Sequence, residues 1–225
     1  MAIPKKITPD HLKETIVEVR FASGAPLDLF AGVALSLLKP LGYAYNPVPN
    51  SNTGFFIKDC IRVQFAGNII NFNCFEDQYV GWDSYFLSIK EVVETFVSNN
   101  FIKSFDRVSI RYISEFENTE LFPNIKGCFN IDVDTGFTLQ DSIVRLTKDS
   151  GKAKVFMTLT NKTKVQKNNR FIDVSLFDIN AFVTLPLGSG MKELEEGLQD
   201  AHKEQKEAFF NTITEEFKES LNAEY

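Results

Sequence analysis

Apolar and polar residues alternate along much of this chain, and the alternation predicts strands with one apolar face. In Thr15–Ala22, Val17, Val19 and Phe21 fall on one side, with Ile16, Glu18 and Arg20 on the other. Pro26 and Asp28 then lead into a helix with Phe30, Val33, Ala34, Leu37 and Leu38 on one face, stopped by Pro40 and Gly42. The Pro/Asn/Ser-rich run from Asn46 to Thr53 reads as a surface loop. Gly67-Asn68 is a two-residue hairpin turn that pairs Arg62 with Asn73 and Gln64 with Asn71. Ile61, Val63, Phe65, Ile70, Phe72 and Cys74 share the apolar face of that hairpin, and the register puts Cys60 and Cys74 on opposite faces. A second helix begins near Asp83 or Ser84, with Trp82, Phe86, Ile89, Val93 and Phe96 on one side.

The second half is richer in strands. Ser104–Glu117 places Val108, Ile110, Tyr112 and Phe116 opposite Arg107, Ser109, Arg111, Glu115 and Glu117. Phe129, Ile131 and Val133 alternate with Asn130, Asp132 and Asp134, and a further hairpin centres on Ser150-Gly151 with Val144, Leu146, Val155 and Met157 on its core face. The run NNRFIDVSLFDINAFV is the last strand region. From Gly188 to Tyr225 the chain reads as one long charged helix. Met191, Leu194, Leu198 and Ala201 form its front stripe, the expected interface for a partner or a second copy of the chain. The Phe-rich end, Phe209–Leu221, is expected to dock on the core, and Gln205 interrupts the heptad between them. The order of elements predicts an α+β fold with a largely antiparallel sheet or sheets, two helices in the N-terminal half and a long C-terminal helix. We expect one compact unit over residues 1–225, with lobes 1–103 and 104–187 and a closing helix 188–225.

Composition narrows the partners. The 225 residues are 44% hydrophobic and 24% charged, the balance of a globular chain, and 22 phenylalanines against one tryptophan predict a core built on Phe clusters. A net charge of −6 and a pI near 5.1 disfavour nucleic acid and anionic membrane as partners. The opening MAIPKKITPDHLKE has no apolar run behind its lysines, and no stretch reaches the ~20 apolar residues that span a bilayer, so the cytoplasm is the expected compartment. Cys60, Cys74 and Cys128 are odd in number and widely spaced, which suits reduced thiols rather than a disulfide framework or zinc site.

Catalytic chemistry is sparse. His11 falls in an N-terminal arm expected to be mobile, and His202 is mid-helix with no Cys, Asp or second His at helical spacing, so neither predicts a metal site. Asn130–Gly136 begins like a calcium loop, but its glycine is one place late and the twelfth position is Asp141. Gly188-Ser189-Gly190 opens a helix, yet Glu193, Glu195 and Glu196 would repel a phosphate there. Glu18 and Arg20 resemble the alternating charges of tunnel-type triphosphatases without that pattern's second Glu and its Lys. No cofactor, metal or catalytic residue is predicted. The better surfaces are the polar strand faces: Arg62, Gln64, Asn71 and Asn73, and separately Arg107, Ser109 and Arg111. Adjacent, they would offer arginines and amides to an anion or an acidic peptide. The alternative is an ordinary solvated sheet face, with Arg107 and Arg111 paired to Glu115, Glu117 or Glu18.

Five stretches together carry a family resemblance: IVEVRF at the start, the Trp82-led helix, DRVSIRYISEFE with its Arg-x-x-x-Arg-Tyr-Ile, FDIN at Phe177–Asn180, and AHKEQKEAFFNTITEEF in the closing helix. In this order they resemble a sporadically distributed bacterial family of conserved proteins of unknown function. Lys203 stands where that family has an Arg after its His. The resemblance implies no activity, but sporadic distribution implies an accessory role such as phage defence or a toxin–antitoxin-like system. The expected function is thus a non-enzymatic, cytoplasmic protein-interaction component, self-associating through the closing helix. Next comes an anion- or nucleotide-binding sensor on an arginine-bearing sheet face, and third a metal-dependent phosphohydrolase.

Overall fold

Among the described residues, alternating positions build nine strands and helical stripes build four helices. The computed structural model describes residues 3, 4, 7, 11–26, 30–49, 54–75, 79–127, 142–167 and 169–224. The strands are β1 (Leu12–Ser23), β2 (Ala44–Pro47), β3 (Gly54–Lys58), β4 (Ile61–Ala66), β5 (Ile69–Phe75), β6 (Ile102–Glu117), β7 (Ser142–Asp149), β8 (Lys154–Lys167) and β9 (Arg170–Ser189). The helices are α1 (Phe30–Leu38), α2 (Trp82–Ser98), α3 (Met191–Thr212) and α4 (Glu215–Ser220). The strands form one antiparallel sheet in the order β2-β3-β4-β5-β1-β6-β9-β8-β7. The chain divides into two compact units, one of residues 14–110 with 182–201, the other of residues 1–13, 111–181 and 202–225.

In the first of these units the core is aromatic. Phe30 of α1 stacks on Phe96 of α2 with ring centroids 5.8 Å apart, and Phe21, Phe65 and Phe101 surround the pair. Tyr85 is fully buried, and its hydroxyl donates to the Phe72 carbonyl at 2.7 Å, fixing α2 against β5. The hairpin register is the expected one, Arg62 opposite Asn73 and Gln64 opposite Asn71, because a two-residue turn with Gly67 at φ 59° leaves no slack. Two expectations are corrected. Asn46 and Pro47, the start of the expected loop, belong instead to edge strand β2, where a proline is tolerated. Cys60 belongs to the Asp59–Cys60 turn and not to β4, so strict alternation does not govern it; its thiol lies near enough to act on that of Cys74, and both are free and buried. Burial first, and then Cys60, pushes the Cys74 thiol up to about 12, which makes it unreactive.

The first half of α3 belongs to the same unit. Leu194, Leu198 and Ala201 are 1%, 1% and 0% exposed and Met191 is half-buried. The expected interface stripe is therefore already covered by the chain itself, which removes the surface that self-association through this helix required. Gly197 marks the contact: a β-carbon there would lie 2.8 Å from Leu185 Cδ2 and 3.2 Å from Val108 Cγ2. Trp82 Nε1 donates to Gln199 Oε1 at 3.0 Å, and Lys90 pairs with Glu195 at 2.8 Å.

The other unit packs Phe177 on Phe209 and Phe116 on Phe217, with ring centroids 5.0 and 5.5 Å apart. His11 lies 4.6 Å from the Phe116 ring, and its carbonyl accepts from the Glu115 N–H, so it is anchored rather than free on an arm. The closing helix is two helices, not one. At the break Thr214 caps α4 by accepting from the Phe217 N–H at 3.2 Å, and Ile213 pairs with Ile125 as an isolated bridge. The β7–β8 hairpin keeps the predicted faces but slips by two residues: Leu146 faces Met157 and Lys148 faces Val155, because the turn also uses Lys152 and Ala153. Ser150 and Ala153 hydrogen-bond each other across it.

Candidate functional site: an open polar sheet face

Strand alternation divides the first unit's part of the sheet into two unlike sides. Val17, Val19, Ile61, Val63, Ile70 and Phe72 are buried beneath the helices. The opposite side is half-exposed and carries Ile16, Glu18, Arg20, Arg62, Gln64, Asn71 and Asn73. The register sets these side chains in rows across the strands. Gln64 faces Asn71, which faces Glu18; Arg62 faces Asn73, which faces Ile16. Arg107 of β6 joins the first row by donating from Nη2 to Glu18 Oε1 at 2.6 Å. Arg20 Nε donates to the same oxygen at 2.8 Å, so two guanidiniums share one carboxylate.

Arg62 is held differently. Its guanidinium lies 4.1 Å from the centroid of the Phe55 ring and 4.8 Å from that of Phe75, a contact in which the ring quadrupole attracts the cation. Arg107 lies 5.3 Å from the Phe182 ring. The Nε–H groups of Arg62 and Arg107 are buried and have no hydrogen-bond partner among the described residues. Asn73 Nδ2 donates to Glu14 Oε1 at 2.9 Å. For Glu18, burial alone would raise the pKa, but Arg20 and Arg107 outweigh it and hold the carboxyl below the usual range. It stays ionised at neutral pH.

Five of the six predicted ligand- or partner-binding residues thus share one face: Arg62, Gln64, Asn71, Asn73 and Arg107. Arg111 falls in the other unit, where its Nε and Nη2 form a two-pronged pair with Asp178 at 2.8 and 2.7 Å. Ser109, expected to face outward between the arginines, is buried. Glu115 and Glu117 bind Lys167 instead of an arginine. Sequence reasoning missed Phe55, Phe75 and Phe182, whose rings seat the guanidiniums. Their signal was the placement of an aromatic residue beside or across from an arginine, legible only once β3 and β9 have been assigned as strands with a register.

The other sequence candidates carry little chemistry. His202 stacks loosely on Tyr112, 6.1 Å between centroids; burial first, then Lys206, holds its imidazole neutral down to about pH 4. The backbone N–H of Gly190, at the start of α3, donates to Glu193 Oε2 at 2.8 Å, so that helix end already binds a carboxylate of its own chain. Asn130–Gly136 and Asp141 lie outside the described residues, as does Cys128. Among the described residues no three His, Cys, Asp or Glu side chains group as a metal site, and no helix is long and apolar enough to cross a membrane. No family model matches the chain, and no curated protein does.

Proposed function

We propose that this protein is a non-enzymatic interaction component that receives a protein partner on the open face of β1, β4, β5 and β6. The observation that carries the reading is a surplus of charge on that face: Arg20, Arg62 and Arg107 stand against Glu14 and Glu18, on a chain whose net charge is −6. Gln64 and Asn71, beside each other across β4 and β5, add paired donors and acceptors that suit peptide groups. With the front stripe of α3 covered, the sheet face takes over the binding role first expected of that helix. An accessory-system role, such as phage defence, belongs to the same proposal, with the partner encoded nearby.

A small anion or nucleotide fits this face less well. β5 and β1 stand between Arg62 on β4 and Arg107 on β6, and the two are already engaged, Arg107 by Glu18 and Arg62 by the Phe55 and Phe75 rings. The test is a photo-crosslinking residue at Gln64 in cells, with Leu87 on the exposed side of α2 as the control position. A discrete protein adduct from position 64 that is absent from position 87 and lost with Arg62→Ala supports the proposal. Equal, diffuse labelling from both positions overturns it.

A further inference from the structure

We infer that the partner presents an extended acidic segment running across β4, β5, β1 and β6, with carboxylates four residues apart that meet Arg62 and Arg107 and a neutral polar residue midway between them. The inference rests on the binding-face reading above and gives it a chemistry. Three strand spacings and the one-row offset of Arg62 from the Gln64–Asn71–Glu18 row separate the backbone positions of the two arginines by roughly 14–16 Å. In an extended peptide, residues i and i+4 point to the same side about 13–14 Å apart, and long side chains make up the remainder. A helical segment would span only about 6 Å over the same four residues and would not reach both arginines.

Three further observations select among acidic ligands. Asn71 on β5 lies between the two arginine-bearing strands, with Gln64 beside it on β4, where an extended chain presents free N–H and C=O groups. Glu18 lies along the path on β1, bonded to Arg107, and is ionised, so a carboxylate at i+2 is repelled while a Thr, Ser or Asn is accepted. The aromatic rings already hold guanidiniums, Phe55 and Phe75 that of Arg62 and Phe182 that of Arg107, so they do not offer bare faces on which nucleic-acid bases would stack. The pattern is acid, any, neutral polar, any, acid.

The test is fluorescence anisotropy of the full chain with fluorescein-labelled nonapeptides in a Thr/Val background. One carries Asp at i and i+4 with Thr at i+2, one has Asn at i and i+4, one has Asp at i and i+2 only, and one has a third Asp at i+2. The first should bind about tenfold more tightly than each of the others, since each charge-assisted contact contributes on that order. Arg62→Ala and Arg107→Ala should each lose most of that preference, with Arg62→Lys and Arg107→Lys partly restoring it and melting curves showing that all four variants fold. Equal affinity across the series overturns the inference, as does tighter, Arg62-dependent binding of labelled oligothymidylate. If no peptide binds but the Gln64 cross-link still captures an Arg62-dependent partner, the acidic pattern is wrong and the binding face stands. If neither is seen, both fall.

Discussion

Arg107 and Arg111 stand four residues apart on β6, in different units, and their surroundings differ in stoichiometry. Arg111 makes a two-pronged pair with Asp178, and in the same unit Lys167 pairs with Glu115 and Glu117 and Lys162 with Glu120. Arg107 shares Glu18 with Arg20, and nearby Arg62 rests on two rings. The same residue type thus makes a two-pronged pair with one carboxylate at position 111 and shares a carboxylate with a second arginine at position 107. Surface ion pairs contribute little to stability whichever side they lie on. What differs is how much positive charge remains for a partner.

That contrast can be broken or sharpened in four ways. It supposes that the helix-covered side is closed, so Leu198→Ala should cost about 2–5 kcal/mol in chemical denaturation through the cavity it leaves. A loss below about 0.5 kcal/mol would reopen α3 as a partner surface. Next is pH. His202 titrates near 4 in the folded chain, against 6.5 for the free side chain, so the unfolded chain takes up the proton first. Stability should fall as pH drops from about 6.5 toward 4, by at most roughly 3 kcal/mol, and be regained as pH rises. His202→Gln should flatten that window, and an unchanged slope would show that the imidazole is wetter than the structure has it.

The third comparison exchanges carboxylates. Glu18→Gln and Asp178→Asn should each destabilise by about 1 kcal/mol, but only Glu18→Gln should tighten binding of an acidic peptide, because it raises the surplus on the binding face. Equal effects on binding would erase the distinction between the two surfaces. The smallest expected change is Arg62→Ala, within about 0.5 kcal/mol in stability, since the partly exposed guanidinium gives up only ring contacts. A large loss would make Arg62 a structural residue.

How much of this was legible in the chain depended on what fixed each feature. The β4–β5 register followed from one short turn, and the buried faces of β1, β4 and β5 followed from alternation, whereas on β6 Val108, Ser109 and Ile110 are buried in succession. The β7–β8 register slipped because nothing in Ser150–Ala153 announces that the turn needs all four residues. β2 was hidden by Asn46 and Pro47, whose loop propensity is overridden at a sheet edge. The α3–α4 break did have a signal, Thr214 followed by two glutamates, but the apolar rhythm through Ile213 and Phe217 concealed it. At the candidate site, residue types and faces could be read, whereas partners could not. Glu18 meets Arg107 only because β1 lies between β5 and β6, and Arg111 meets Asp178 from a strand 67 residues away.

Gly197 has a consequence for how this sequence can vary. A glycine inside a helix sacrifices roughly 0.5–1 kcal/mol of stability relative to alanine, yet the methyl group that would recover it has no room beside Leu185 and Val108. The permitted size at position 197 is thus conditional on the size at position 185. Gly197→Ala alone should be neutral or harmful, and Leu185→Val should convert it toward a gain, a non-additivity that thermal melts of the double mutant would register as coupling. Substitutions along α3 and β9 would then be acquired together rather than singly.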